Sequence, residues 1–257
     1  MSEIAKSYTY GIVLTPRWVP NLSIDLDYVD INMSNAIQTL NLTDLLEACY
    51  DATDYPNASE CGAFTRNSAG QIVGYHDGFV NAGLLHFQGD TISVDYQLQL
   101  PRNWGRLSLM GNYLDTKTLK LQVAGNTAVN EAGELGAQGG LVIAPKVRAS
   151  FATNYSKGPF SWYWQAQFTS GENFSNLNTA TSQYPLTVGR WWLINSSVAY
   201  TIGSRLNVRL VVNNVFDKLP PYPALSGAGG NFAAPTSYYF AGIIGRTYLL
   251  SINAYLF

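Results

Sequence analysis

Side chains able to do covalent or metal chemistry are scarce in this sequence: its 257 residues hold two histidines, His76 and His86, and two cysteines, Cys49 and Cys61. A protein metal site draws its ligands from short, recurrent His, Cys and carboxylate spacings. Neither histidine has such a second ligand, so no metal and no cofactor is expected. A hydrolytic site needs a nucleophile, a base and an orienting acid within reach, and the Ser and Asp residues near His76 form no persuasive set. The chain is read as a non-enzyme with no catalytic residue. Asp25 and Asp27 have the residue types of an acid pair, but at i and i+2 on a strand they share one face and read as solvated carboxylates.

The cysteines sit in ACYDATDYPNASECGAF, a polar, turn-rich stretch. A local disulfide between Cys49 and Cys61, closing a surface loop, is the expectation, and it implies an oxidising compartment. The other reading is two unpaired thiols.

Charged residues make up 12% of the chain, about half the usual quarter of a globular protein, whereas 17 Tyr, 6 Trp and 23 Gly are plentiful. A net charge of −2 supplies no basic field for nucleic acid. No apolar run approaches the ~18 residues of a spanning helix, so any membrane crossing must use strands. The opening MSEIAKSYTY lacks the basic start, apolar stretch and small-residue cleavage site of a signal peptide. Either the chain stays inside the cell or this is not its true beginning.

The elements that carry these residues are strands. In FSWYWQAQFT, residues 160–169, Phe160, Trp162, Trp164, Ala166 and Phe168 share one parity and Ser161, Tyr163, Gln165, Gln167 and Thr169 the other, the alternation of a strand with one apolar face. The pattern recurs at 8–15, 22–28, 92–100 with a start near Ala82, 107–113, 147–155, 192–201, 206–213 and in the closing GRTYLLSINAYLF. Nine strands of about ten residues have the length that crosses a tilted bilayer. WVPN, PRNWG, SKGP and GSR make short connections, whereas those near 32–81, 118–144, 170–190 and 217–243 are long and rich in Gly, Asn, Ser and Pro. Short turns on one rim and long loops on the other mark an outer-membrane barrel. In NLTDLLEAC the helical spacing of Leu42, Leu45, Leu46 and Cys49 predicts one or two short helices within residues 33–50, on the outer rim.

In such a barrel the apolar face meets lipid and the polar face lines the lumen. Phe160, Trp162, Trp164 and Phe168 then look at acyl chains and headgroups, and Tyr155, Phe160, Trp162, Trp192, Tyr200 and Tyr255, near strand ends, suit the interfacial girdle. Asp25, Asp27, Asp95, Arg106, Lys146, Arg148 and Arg209 face inward. Nine is odd, and single-chain bacterial barrels have even strand numbers. The expectation is that the chain is the C-terminal part of a bigger barrel.

The phrases SYTYGIVLTPRWVPNLSIDLDYVDI, CGAFTRNSAGQI, VVNNVFDKLPP and GRTYLLSINAYLF resemble the C-terminal barrel region of TonB-dependent outer-membrane receptors, over essentially all 257 residues. The resemblance implies an all-β, antiparallel transmembrane barrel, of which residues 1–257 hold about nine of 22 strands, with the plug domain absent. It implies a place in the outer membrane, active uptake of a scarce nutrient of the siderophore-iron, cobalamin or saccharide class, and three partners: outer-membrane lipid, the barrel-assembly machinery and, through the plug of the parent receptor, the TonB complex. A passive porin-like or structural barrel is the alternative. Asn213 to Lys218 resembles the penultimate strand passing into an extracellular loop, and Tyr255 with Phe257 resembles the assembly signal. The terminal aromatics are out of phase with Tyr248, Leu250, Ile252 and Ala254, which predicts a β-bulge near 251–254. Aromatics and amides near 217–240 are candidates for part of the ligand surface; specific ligand-binding residues are left unassigned.

Overall fold

The computed structural model describes residues 2–39, 42–76, 79–122, 129–134, 145–173, 187–203, 205–221 and 240–254. In chain order its strands are β1 (Ile4–Leu14), β2 (Leu22–Thr39), β3 (Phe64–Arg66), β4 (Ile72–Tyr75), β5 (Phe79–Gln99), β6 (Arg106–Gln122), β7 (Val129–Asn130), β8 (Val147–Lys157), β9 (Phe160–Thr169), β10 (Glu172–Asn173), β11 (Thr187–Val188), β12 (Trp191–Ile202), β13 (Leu206–Asn213) and β14 (Thr247–Ala254). The long ones lie side by side in the order β1-β2-β5-β6-β8-β9-β12-β13-β14, each beside its neighbour in sequence, with β7 added to β6. These nine are the segments that period-two alternation marks out. β3 with β4 and β10 with β11 form separate small hairpins. Among the described residues β1 and β14 each pair on one side only, so the sheet is open, the form of a partial barrel.

Register turns the alternation into continuous rows across the sheet. One row runs Ile12, Leu26, Ile92, Tyr113, Ala149, Phe168 and Trp192 from β1 to β12. Another runs Leu98, Leu107, Tyr155, Trp162, Val198, Leu210 and Leu250 from β5 to β14. Aromatic pairs knit this face: Phe168 and Trp192 rings lie 4.7 Å apart, and Phe151 meets Trp164 edge-on at 6.1 Å. Its side chains remain open, Trp192 at 45% and Leu250 at 61% exposure, so it is not the inner layer of a sandwich. Fully lipid-facing strands need no second protein layer, because hydrocarbon takes that part.

β2, β5 and β6 run to 18, 21 and 17 residues, beyond the ~9–11 that span a bilayer. Their surplus, roughly eight residues or about 25 Å of strand, belongs to the rim with the long connections. Three register shifts lie in this extension. The β2–β5 register shifts at Asn35, which takes φ 54°, and again between Ala36 and Ile37, leaving Ala82 as an extra residue of β5; the β5–β6 register shifts between Gln88 and Gly89, leaving Lys117 as the extra residue of β6.

The short helix expected within residues 33–50 is α1, Leu42–Tyr50, and the earlier part of that segment continues β2 as strand to Thr39. One sequence expectation needs correction. A bulge near 251–254 is not found: β13 and β14 pair without a shift from Asn213↔Thr247 to Leu206↔Ala254. Tyr248, Leu250 and Ile252 already continue the lipid-facing rows in phase, so nothing in that stretch requires an added residue. Tyr255 and Phe257 lie outside the described residues. A second, four-residue helix, α2 (Phe240–Ile243), precedes β14. No described helix is long and apolar enough to cross a membrane.

Candidate functional site

The opposite parity builds the inner wall. Val13, Asp25, Ser93, Asn112, Ser150, Gln167 and Leu193 form one row, and Gly11, Asp27, Thr91, Leu114, Arg148, Thr169 and Trp191 the next. Asp25 and Asp27 are therefore on the inner face, as are Asp95, opposite Met110, and Arg106 and Arg209, which share a row through Ser156, Ser161 and Ala199. Lys146 precedes β8 outside the paired strands, its carbonyl accepting from Thr116 N at 2.7 Å. Arg148, Asn112, Gln165 and Gln167 line a concavity of about 540 Å³ on this wall. Its hydrogen-bonding groups are amides, hydroxyls, the Arg148 guanidinium and the Trp191 indole, set beside apolar Leu114, Ala149 and Phe168, and the lining residues include no carboxylate or histidine.

Trp191 departs from the expectation that aromatics face lipid. It neighbours Trp192 in sequence, yet it lies on the inner parity and is 3% exposed. Gly242 packs so closely on it that any β-carbon there would overlap its ring. Parity alone could have found it, since Trp191 shares the phase of Asn195 and Ser197.

On the rim with long connections, the disulfide joins Cys49 of α1 to Cys61 of the short 3₁₀ turn Ser59–Ala63. Beside it Arg66 donates to the Tyr50 hydroxyl at 2.7 Å and lies over the Phe64 ring at 5.4 Å, while Tyr55 stacks near Tyr50 at 5.3 Å. His76 is exposed near this cluster, its amide donating to Ala63 O at 2.7 Å. His86 lies elsewhere, on the outer face of β5 with Nε2 3.2 Å from Asp30 Oδ1. No group of three or more His, Cys, Asp or Glu among the described residues could hold a metal ion.

The NNVFDK stretch is a hydrogen-bonded staple. β13 ends at Asn213, and Asn214, 1% exposed, donates its amide to Asn195 Oδ1 at 2.9 Å while its side chain bridges Lys218 N and O. Asp217 Oδ1 then accepts from Arg246 N at 2.7 Å, tying the exit of β13 to the entry of β14. Asn214 and Asp217 have φ of 50° and 52°, the left-handed region that Asn and Asp tolerate best among side-chain-bearing residues. The residues near 222–239 proposed for a ligand surface lie outside the described residues.

A one-layered antiparallel sheet with an apolar outer face, a polar inner wall, short turns at one rim and long connections at the other defines a wall of an outer-membrane-type β-barrel. Residues 2–215 match the family model described as TonB dependent receptor-like, beta-barrel, and the chain belongs to that family. Among solved structures it is similar to the FrpB iron transporter of Neisseria meningitidis, with 14% identity and TM-score 0.59 over 98% of this chain and 31% of that one. It is also similar to the ferripyoverdine receptor of Pseudomonas aeruginosa (16%, 0.56, 98% and 27%) and to the ferric-catecholate import receptor Fiu of E. coli K12 (14%, 0.54, 98% and 27%). These identities establish a shared fold. The chain spans about three tenths of the length of those receptors. Comparison with curated proteins finds no match.

Proposed function

We propose that this chain is the C-terminal arc of the barrel of an outer-membrane receptor that takes up a scarce nutrient actively, driven by the TonB complex through a plug domain. Its substrate belongs to the siderophore-iron, cobalamin or saccharide class. The observation that carries the reading is the inner wall: amides, hydroxyls and both signs of charge line a surface wide enough to be filled by another polar domain. Outer-membrane lipid and the barrel-assembly machinery are the remaining partners, the second through Tyr255 and Phe257. Catalysis has no part in this role.

Uptake by cells carrying or lacking the gene tests it, using radiolabelled ferric siderophores, cobalamin and oligosaccharides in turn. One of these should enter only with the gene present, and entry should cease when the proton gradient or TonB is removed. Entry that persists without TonB would replace this reading with a passive barrel.

A further inference from the structure

The short turns share a feature that lumen transport does not use. Arg17 lies between β1 and β2, Arg102 between β5 and β6, Lys157 at the β8–β9 turn and Arg205 between β12 and β13, one cation per hairpin, and residues 15–21, 100–105, 156–159 and 203–205 contain no Asp or Glu. All four are exposed. Acidic residues instead collect toward the opposite rim, with Asp51, Asp54, Glu60, Asp90 and Asp115 among them. Hairpins recur every second strand, so the cations follow the rim at intervals of about 10 Å.

At the β8–β9 turn the cation lies on the lipid side. Lys157 pairs with Phe160 in the outward row, and its Nζ stands 5.8 Å from the Trp104 ring. Tyr155, two residues earlier on that face, donates its hydroxyl to Trp104 O at 2.6 Å. Trp18 and Trp104 are 85% and 62% exposed, the half-wet ring placement of a membrane interface. A protein partner would meet a compact patch, whereas these charges are strung along the circumference beside interfacial Trp rings, where headgroups are.

From this charge pattern we infer that the short-turn rim binds anionic phospholipid headgroups of the periplasmic leaflet through Arg17, Arg102, Lys157 and Arg205, with Trp18 and Trp104 as depth anchors. The inference rests on the outer-membrane reading above. Each cation next to an anionic surface contributes about a fivefold preference over a neutral headgroup.

The test is native mass spectrometry of the protein, purified from its own membrane and reconstituted with equal parts phosphatidylglycerol and phosphatidylethanolamine. Retained lipid should be enriched in phosphatidylglycerol, and the combined Arg17→Gln, Arg102→Gln, Lys157→Gln and Arg205→Gln variant should lose the enrichment. Replacing the three arginines by lysine should preserve it, as should Lys6→Gln with Lys120→Gln on the other rim. The wild type alone gives a second readout: enrichment should fall as added salt shortens the Debye length. Unchanged enrichment in the quadruple variant, salt-insensitive enrichment, or an acidic protein retained through these cations in place of lipid would overturn the inference while leaving the receptor reading standing. Retention of neither lipid would overturn both.

Discussion

Strands β2, β5 and β6 each pass through two regions of opposite polarity. In the belt, Leu26, Ile92 and Tyr113 face outward and Asp25, Ser93 and Asn112 inward. In the extension beyond Asp90 and Asp115 the assignment reverses. Val29, Ile31, Met33, Leu85, Phe87 and Leu119 now face inward, and Asp30, Asn32, His86, Gln88, Thr118 and Lys120 outward. The outward set is joined by hydrogen bonds: Asn32 and Gln88 donate to Asp30 at 2.7 and 2.8 Å, and Thr118 to Gln88 at 3.0 Å. Outside the hydrocarbon, water and headgroups solvate the outer face, so the ordinary rule of apolar-in returns. One backbone ladder serves both regions, and the solvent decides which side chains each tolerates.

Lys117 marks the boundary. Without an extra residue there, the parity that puts Tyr113 outward would put Leu119 and Leu121 outward too. The bulge shifts the phase by one, sending Leu119 inward beside Phe87, while Lys117 forms an ion pair with Asp90 and lies 5.6 Å from the Tyr28 ring. Asp90 and Asp115 sit directly opposite each other, and the ammonium offsets their repulsion.

The sharpest way to break this comparison is to place one charge in each region. Val94→Arg, outward and midway along the belt, should cost about 2–4 kcal/mol and Asn32→Arg in the extension about 0–1 kcal/mol, read from urea unfolding in lipid vesicles; equal costs would show that both regions meet the same solvent. Cys49→Ser with Cys61→Ser removes a cross-link over a separation of 12 residues. It should lower the loop's local stability by about 3 kcal/mol, seen as faster protease cleavage between residues 50 and 60, with the barrel's resistance to heat unchanged. Leu119→Ala, on the buried inner side, should destabilise by about 2 kcal/mol, while Lys120→Ala, one residue on but facing out, should stay within about 0.5 kcal/mol. Asp30→Ala removes the acceptor for Asn32 and Gln88 at a partly exposed site and should cost less than Leu119→Ala, about 0.5–1 kcal/mol. A value of 2 kcal/mol or more there would mean the outer network is far better shielded from water than its exposure indicates.

The sequence by itself determined which residues become strands, how they alternate and how the two rims differ, because period-two hydrophobicity and turn chemistry are local. All nine strands, the lipid-facing Trp162 and Phe168 and the inward Asp25, Arg148 and Arg209 were legible in that way, and so was the proximity of the cysteines. Tertiary structure alone decided the register and the bulges at Asn35 and Lys117, since pairing between strands depends on partners distant in sequence. From those followed the inverted polarity of the extension, the burial of Trp191 against Gly242, the regular ladder at 251–254 and the staple from Asn214 through Asp217 to Arg246. Each of these depends on what the neighbouring strand presents at one height, which no single segment encodes.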